Sequence, residues 1–426
     1  MCAALVVGCG GGGSSAGGGG GGGGTGGGNS STTVTITFVG PGLPVAVAAQ
    51  IGTGAFAAQT LSHGTLTLSI PTGTSNYAVA DLCPAQTTAQ PPEQSEFVWE
   101  ASIADGTSFN FTCGSAPSVT PNLTASLDAT AIPGVQIFFI YSQNGESTSV
   151  GGAFGPTMNF DVPASVGSDR VLVLAYANQS QSPLAAKNFD NQTVPGALNG
   201  DNTVVFGTAD QTTLEPITYN NVPSGYSSPS TAVALEMGGA GIQEAPVGLA
   251  GQATTQYAVL PASATEKGDA YSLDASASGL GIGNSSGVGA GITTSGGPVS
   301  FTFPAPWSET SPTPAALPSF TMDYTGFPAG SNVSQIVSLG WTSGAGTGSA
   351  VSYYVNVQAT ASYQGKATTL AVPNLSSVAG VLAAPASGAQ VEWSTSIMQQ
   401  SYGVGTPPPL NGTWSAAYNG GLYTVP

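Results

Sequence analysis

From Thr33 onward, apolar residues recur at every second position in short runs broken by Gly, Pro and Asn, and no helix-length window repeats at 3.6 residues. Side chains alternate across a strand with period two, so such a chain buries its apolar residues only by building sheets. The strongest run, Val351 to Ala361, sets Tyr353, Val355, Val357, Ala359 and Ala361 against Tyr354, Asn356, Gln358 and Thr360. The first face is expected to be buried and the second wet. The fold class is all-β, and 426 residues suggest several cores, since single domains hold about 100–150 residues.

The same sequence carries 21 acidic residues against Arg170, Lys187, Lys267 and Lys366, a formal net charge of -17. No basic run is present to meet a phosphate backbone, which excludes nucleic acid as a partner. After Thr32 the apolar runs are strand-sized, well short of the roughly 20 residues of a spanning helix.

The first 32 residues follow other rules. Of the 19 residues from Gly10 to Gly28, 15 are glycine, and such a stretch has nothing to bury and acts as a flexible spacer. A phosphate-binding loop would need a strand before it, a helix after it and usually a Gly-Lys-Ser/Thr ending, none of which is present. Just upstream, Val6-Val7-Gly8-Cys9 resembles a bacterial lipobox, in which small residues precede a cysteine that is lipidated and becomes the mature N-terminus. The resemblance implies an exported protein of the bacterial envelope or cell surface, held to the membrane through a lipid on Cys9, with the glycine tract as a tether. Only Ala3 to Val7 form an apolar stretch before it, with no Lys or Arg. Either the natural start lies further upstream or Cys9 is not an anchor. With export, Cys83 and Cys113 are expected to form a disulfide.

Within the body, Gly64 to Leu82 places Leu66, Leu68 and Ile70 on one face, turns at Pro71 to Thr74, and returns through Tyr77 and Val79. Two antiparallel strands are expected there. Met158 to Ala175 repeats the grammar through Phe160, Val162, Pro163, the Gly167 turn, Val171 and Val173. From Leu43 to Ile132 is 89 residues, and from Pro71 to Pro163 is 92, so two units share one design. Their apolar strand, Val/Ile-Pro turn and returning strand resemble the transthyretin-like or carboxypeptidase-regulatory-like sandwich, a likeness covering residues 33–117 and 118–223. Many immunoglobulin-like modules use a similar hairpin. The resemblance implies spacers or binding modules and supplies no catalytic residue.

The domain plan that follows has a remnant leader at 1–9, a disordered tether at 10–32, and sandwiches at 33–117, 118–223, 224–303 and 319–426. A proline-rich linker at 304–318 precedes the last. Each sandwich is expected to own its core with few contacts across the joints, and Ser278 to Gly297 reads as a long exposed loop or flexible hairpin.

Candidate chemistry is sparse. His63 is the sole histidine, in Ser-His-Gly before a strand, with no nucleophile-elbow motif beside it. Glu93, Glu96, Glu100 and Asp105 form the densest acidic cluster, of the kind that paired carboxylates need for glycoside hydrolysis. Asp190, Asn191, Asn199, Asp201 and Asp210 offer oxygen ligands for calcium, although Asn-Gly-Asp equally marks a hairpin turn. Trp99 and Trp307 are candidate stacking surfaces for a ligand, whereas Trp341 and Trp393 alternate with apolar neighbours as core residues do. The expected function is a non-enzymatic surface module that binds an unidentified protein or glycan or serves as a spacer, with no cofactor required. The alternatives are a carbohydrate-binding or adhesion protein, which needs aromatics in a groove, and an extracellular hydrolase built on His63 or the acidic cluster.

Overall fold

A computed structural model of the protein describes residues 31–426 apart from 40–42, 86–90, 114–121, 143–147, 151–154, 164–166, 178–181, 201, 238–243, 249–254, 280–284, 306–311, 322–331, 344–349, 366–368, 379 and 402–412. Cys9, the glycine tract, Asp201 and Trp307 lie outside the described residues.

Strands dominate, and four sandwiches follow one another. The first comprises β1 (Ser31–Val39), β2 (Ala46–Ile51), β3 (Ala57–Ala58), β4 (Thr65–Pro71), β5 (Asn76–Leu82), β6 (Glu93–Ser102) and β7 (Ser108–Thr112). A sheet in the order β4-β1-β7 faces four strands in the order β3-β2-β5-β6. The second holds β8 (Asn122–Asp128), β9 (Ile137–Ser142), β10 (Thr148–Val150), β11 (Thr157–Pro163), β12 (Gly167–Tyr176), β13 (Ala185–Val194), β14 (Gly196–Ala197) and β15 (Val204–Val205). There β11-β8-β14 faces β10-β9-β12-β13, and β15 also pairs with β8.

The third repeats the plan with β16 (Thr213–Asn220), β17 (Ser230–Glu236), β18 (Glu244–Gly248), β19 (Gln256–Val259), β20 (Ala270–Ser278), β21 (Ser285–Thr293) and β22 (Val299–Thr302), as β19-β16-β22 against β18-β17-β20-β21. The fourth contains β23 (Ser319–Thr321), β24 (Asn332–Ser343), β25 (Val351–Thr360), the single turn α1 (Ala361–Gln364), β26 (Thr369–Ala371), β27 (Gln390–Gln400) and β28 (Thr413–Thr424). Here β23-β26 faces β25-β24-β27-β28. In the first three sandwiches the opening strand lies between an antiparallel and a parallel neighbour, as β1 does between β4 and β7.

The repeated turn joins sheets rather than hairpin partners, which corrects the expectation for Gly64 to Leu82. β4 pairs with β1, whereas β5 pairs with β2 and β6. Pro71 to Thr74, closed by Thr74 N–H donating to the Pro71 carbonyl at 3.0 Å, is an arch between layers. An arch and a hairpin both let the apolar residues of successive strands meet, so the pattern alone does not separate them. Leu66, Leu68, Ile70, Tyr77 and Val79 all pack in one core with Trp99, where each large buried side chain contributes about 1.5–3 kcal/mol. The Cys83–Cys113 disulfide, with Cα atoms 5.3 Å apart, ties the end of β5 to the residue after β7 and so clips the two layers together.

The sandwiches do not stand apart. The four-stranded layers of the third, fourth and first join edge to edge into one twelve-stranded sheet, β18-β17-β20-β21-β28-β27-β24-β25-β6-β5-β2-β3. β21 pairs antiparallel with β28, and β25 pairs in parallel with β6 from Ser352↔Glu93 to Ala359↔Glu100. Ala48, Ala80 and Val98 of the first sandwich belong to the core built around Phe320, Val337, Val357 and Trp393 of the fourth. Likewise, Leu172, Leu174 and Tyr176 on β12 pack into the third core, against Tyr271 and Leu273. The expectation of few contacts across the joints is therefore corrected. Each four-stranded layer would otherwise leave edge donors and acceptors unpaired, and joining the edges satisfies them.

Two local departures follow from this joining. Gln358 and Thr360, expected to be wet, are buried because β6 and the corner after it cover the end of β25. The glycine-serine stretch after Ser278 holds β21, a central strand. Its glycines make room for Trp414: a Cβ on Gly289 would lie 2.0 Å from the indole Nε1, which instead donates to Asp274 Oδ1 at 2.8 Å.

Candidate functional site

The predicted acidic cluster lies on and after β6, at the seam with the fourth sandwich. Glu96 and Glu100 point to the same side of the sheet as Val98, four residues apart along an extended strand and hence about 13 Å apart in Cα position. Both are buried, and burial pushes each carboxyl up to about 7. Glu96 Oε2 accepts the Leu382 N–H at 2.9 Å. On the opposite side Asp81 is raised to about 7, first by burial and then by the nearby Glu96 charge.

Asp105 is a fastener. Its Oδ2 accepts from the Ser102 N–H at 2.8 Å and the Thr360 hydroxyl at 2.7 Å, and its Oδ1 accepts from Ser362. The Thr360 hydroxyl also accepts from Tyr363 N at 3.1 Å, capping α1. Thus a residue that reads as part of a loop acid cluster pins the β25–α1 corner to the first sandwich. Glu93, half-buried, lies opposite Ser352 at the start of the β25–β6 ladder.

The other sequence candidates are placed separately. His63 (φ 52°) and Gly64 (φ 77°) form a left-handed two-residue turn between Ser62 and Thr65, the geometry of a tight hairpin, and the imidazole Nδ1 meets Ser62 Oγ at 3.3 Å. Trp99, a candidate stacking surface, is instead 1% exposed, edge-on to Phe111 and tilted against Phe109; alternation along β6 turns it into the first core.

Asn191 and Asn199 have left-handed backbone at φ 52° and 58°, as turn residues do. Asp190 Oδ1 accepts from Asn188 and its carboxyl shares a hydrogen bond with Glu266, which raises the Glu266 pKa. Asp210 Oδ2 accepts the Gly207 N–H at 2.7 Å and pairs with Lys187 at 3.1 Å. The four described calcium candidates thus have other partners or turn roles. Among the described residues, Asp81, Cys83 and Cys113 are the one group of three His, Cys, Asp or Glu residues whose ligand atoms lie within 4.8 Å of one another, and its two sulfurs are spent in the disulfide.

A cleft of about 620 Å³ opens where the first and fourth sandwiches meet. Its floor is a cross-strand row, Gln94 on β6, Tyr353 on β25 and Trp341 on β24. The two rings stack with centroids 5.7 Å apart and planes 28° from parallel. Leu82, Thr342 and Ser343 lie beside this row, and the wall is the segment 380–389, rich in Gly, Ala and Ser. Leu382, held by Glu96, belongs to that wall, so the buried acid positions the cleft. Neither Tyr353 nor Gln94 is a sequence candidate: the cleft depends on pairing between strands more than 250 residues apart, and composition carries no signal of it. No protein-family model matches this chain, and no curated protein matches it significantly.

Proposed function

We propose that the protein is an exported, non-enzymatic module of the bacterial cell envelope, anchored through Cys9 and carrying a binding surface away from the membrane on a glycine tether. The observation that carries this reading is the continuous sheet. Joined edges stiffen three sandwiches into one body spanning about 50 Å across its strands, a scaffold suited to presenting a surface at a fixed distance. The disulfide accords with an oxidising compartment, and the acidic composition with solubility outside the cell. The transthyretin-like or immunoglobulin-like lineage belongs to the same proposal, supported by the strand order shared by the first three sandwiches.

The test is made on protein from its native host. Mass spectrometry of the N-terminal peptide from the envelope fraction should find Cys9 as a lipidated first residue. Recovery of the chain in the cytosolic fraction with Cys9 unmodified inside a longer peptide would overturn the proposal.

A further inference from the structure

We propose that the cleft between the first and fourth sandwiches is a binding site for a neutral saccharide, with Tyr353 and Trp341 as the stacking platform and Gln94 as the main polar contact. The inference rests on the reading of the protein as a binding module and names the class of ligand.

Size comes first. At about 620 Å³ the cleft lies within the range that small-ligand sites occupy, roughly 300–1,000 Å³. Charge comes next. In a chain of net charge -17, no Asp, Glu, Lys, Arg or His among the described residues lines the cleft. An anionic or cationic ligand would find no counter-charge there, and desolvating its charge without one is costly.

The polar groups that do line it are of one kind. The Gln94 amide and the hydroxyls of Thr342, Ser343 and Ser387 each both donate and accept hydrogen bonds. Sugar hydroxyls have the same double character, so either partner can serve as donor at every contact. The aromatic pair supplies the complement. A pyranose ring presents an apolar C–H face, which packs on the amphipathic surface of Tyr or Trp while its hydroxyl rim reaches the polar groups around it.

The stacked pair is also pre-organised. Tyr353 and Trp341 are paired neighbours in a ten-residue ladder at the centre of the sheet, so little freedom is lost when a ligand binds. Trp341 is 8% exposed and Tyr353 is half-buried; Tyr353 is the ring that meets the ligand, and Trp341 backs it. A peptide strand is disfavoured because β25 and β24 are paired on both sides, leaving no free backbone edge in the floor for strand addition.

The test uses the full chain and a panel of neutral tetrasaccharides (β-1,4- and β-1,3-linked glucose, α-1,4-linked glucose, β-1,4-linked N-acetylglucosamine), with tetragalacturonate and a proline-rich decapeptide as comparators. Titration is followed by calorimetry and tryptophan fluorescence. At least one neutral oligosaccharide should bind with a Kd of about 1 mM or tighter. Tyr353→Ala should weaken it about tenfold or more and Gln94→Ala several-fold, while Leu214→Ala, on an exposed face of the third sandwich, leaves it unchanged. Thermal melts of each variant establish that the fold persists, and Tyr353→Phe, which keeps the ring, should retain most of the affinity. Absence of binding across the neutral panel, binding undiminished in both Tyr353→Ala and Gln94→Ala, or preference for the uronate or the peptide would each overturn the proposal. Envelope attachment through Cys9 is read by a separate measurement, so failure here leaves the anchoring result standing.

Discussion

Arg170 offers a sharp test of how the second and third sandwiches are held together. Its guanidinium meets Asp269 through two hydrogen bonds of 2.7 Å, Nη1 to Oδ1 and Nη2 to Oδ2. Its Nε donates to Asn188 Oδ1 at 2.7 Å and lies 3.0 Å from Glu266. The side chains of Arg170 and Asp269 are 4% and 0% exposed, so neither charge regains water if the other is removed. Breaking a buried pair from one side costs about 3–5 kcal/mol, most of it the stranded charge, whereas removing both charges costs far less. Arg170→Met is therefore expected to lower stability by about 3 kcal/mol or more. Asp269→Asn, which keeps an oxygen for the Glu266 N–H, should cost somewhat less, because the part-exposed Glu266 carboxylate still lies 3.0 Å from the guanidinium. The double variant should be less destabilised than the two singles added together, by about 2 kcal/mol. Urea titration followed by far-ultraviolet circular dichroism measures all three. A loss under about 1 kcal/mol for Arg170→Met, or strict additivity in the double variant, would refute the view that this pair is a desolvated joint between sandwiches.

The remaining expectations concern the seams. Asp81, Glu96 and Glu100 are raised to about 7 in the folded chain, against ordinary values near 4 when unfolded. Between about pH 4 and pH 7 the folded chain keeps protons that the unfolded chain has released, so their contribution is fully present below pH 4 and is lost as pH rises through 7. The melting temperature should fall across that window, with Glu100→Gln removing part of the slope; a flat or rising profile that Glu100→Gln leaves unaltered would contradict the burial of these acids. Gly289→Ala should cost about 1–3 kcal/mol by overpacking against Trp414, read as a lower melting temperature and a shifted tryptophan emission; an unchanged melt would mean the indole is not seated there. A fragment of residues 319–426, stripped of β6 and of Ala48, Ala80 and Val98, should self-associate on size exclusion, and a monodisperse, cooperatively melting fragment would show that the shared core is dispensable.

Strand content, the repeat between the first two units, the disulfide and the core roles of Trp341 and Trp393 are all legible in the sequence, because each rests on local alternation or on a short-range constraint. Joining of the sheets is not. Nothing in Glu93 to Ser102 distinguishes a strand that ends a sheet from one that pairs with Val351 to Thr360, since edge pairing is made by the backbone and leaves no mark on which side chains alternate. The burial of Gln358 and Thr360 follows from that hidden partner. Likewise, the glycines of β21 read as an exposed loop or a flexible hairpin rather than a central strand, because the residue that needs their bare backbone, Trp414, arrives more than 120 residues later. The cleft row of Gln94, Tyr353 and Trp341 shares this origin, being assembled from three strands of two sandwiches.

The parallel pairing of β6 with β25 also has a consequence in time. As the chain is made from its N-terminus, β6 exists long before its partner at residues 351–360. Until then the first sandwich carries an open strand edge and an uncovered apolar patch at Ala48, Ala80 and Val98. Contacts of such long sequence separation form late and slowly, and an unpaired edge is the kind of surface that seeds aggregation. A transit delay, in which the nascent first sandwich waits for the last one, is thus built into the order of the strands. Whatever shields that edge during the wait, whether a holding chaperone or prompt release of the whole chain, governs the yield of the finished protein.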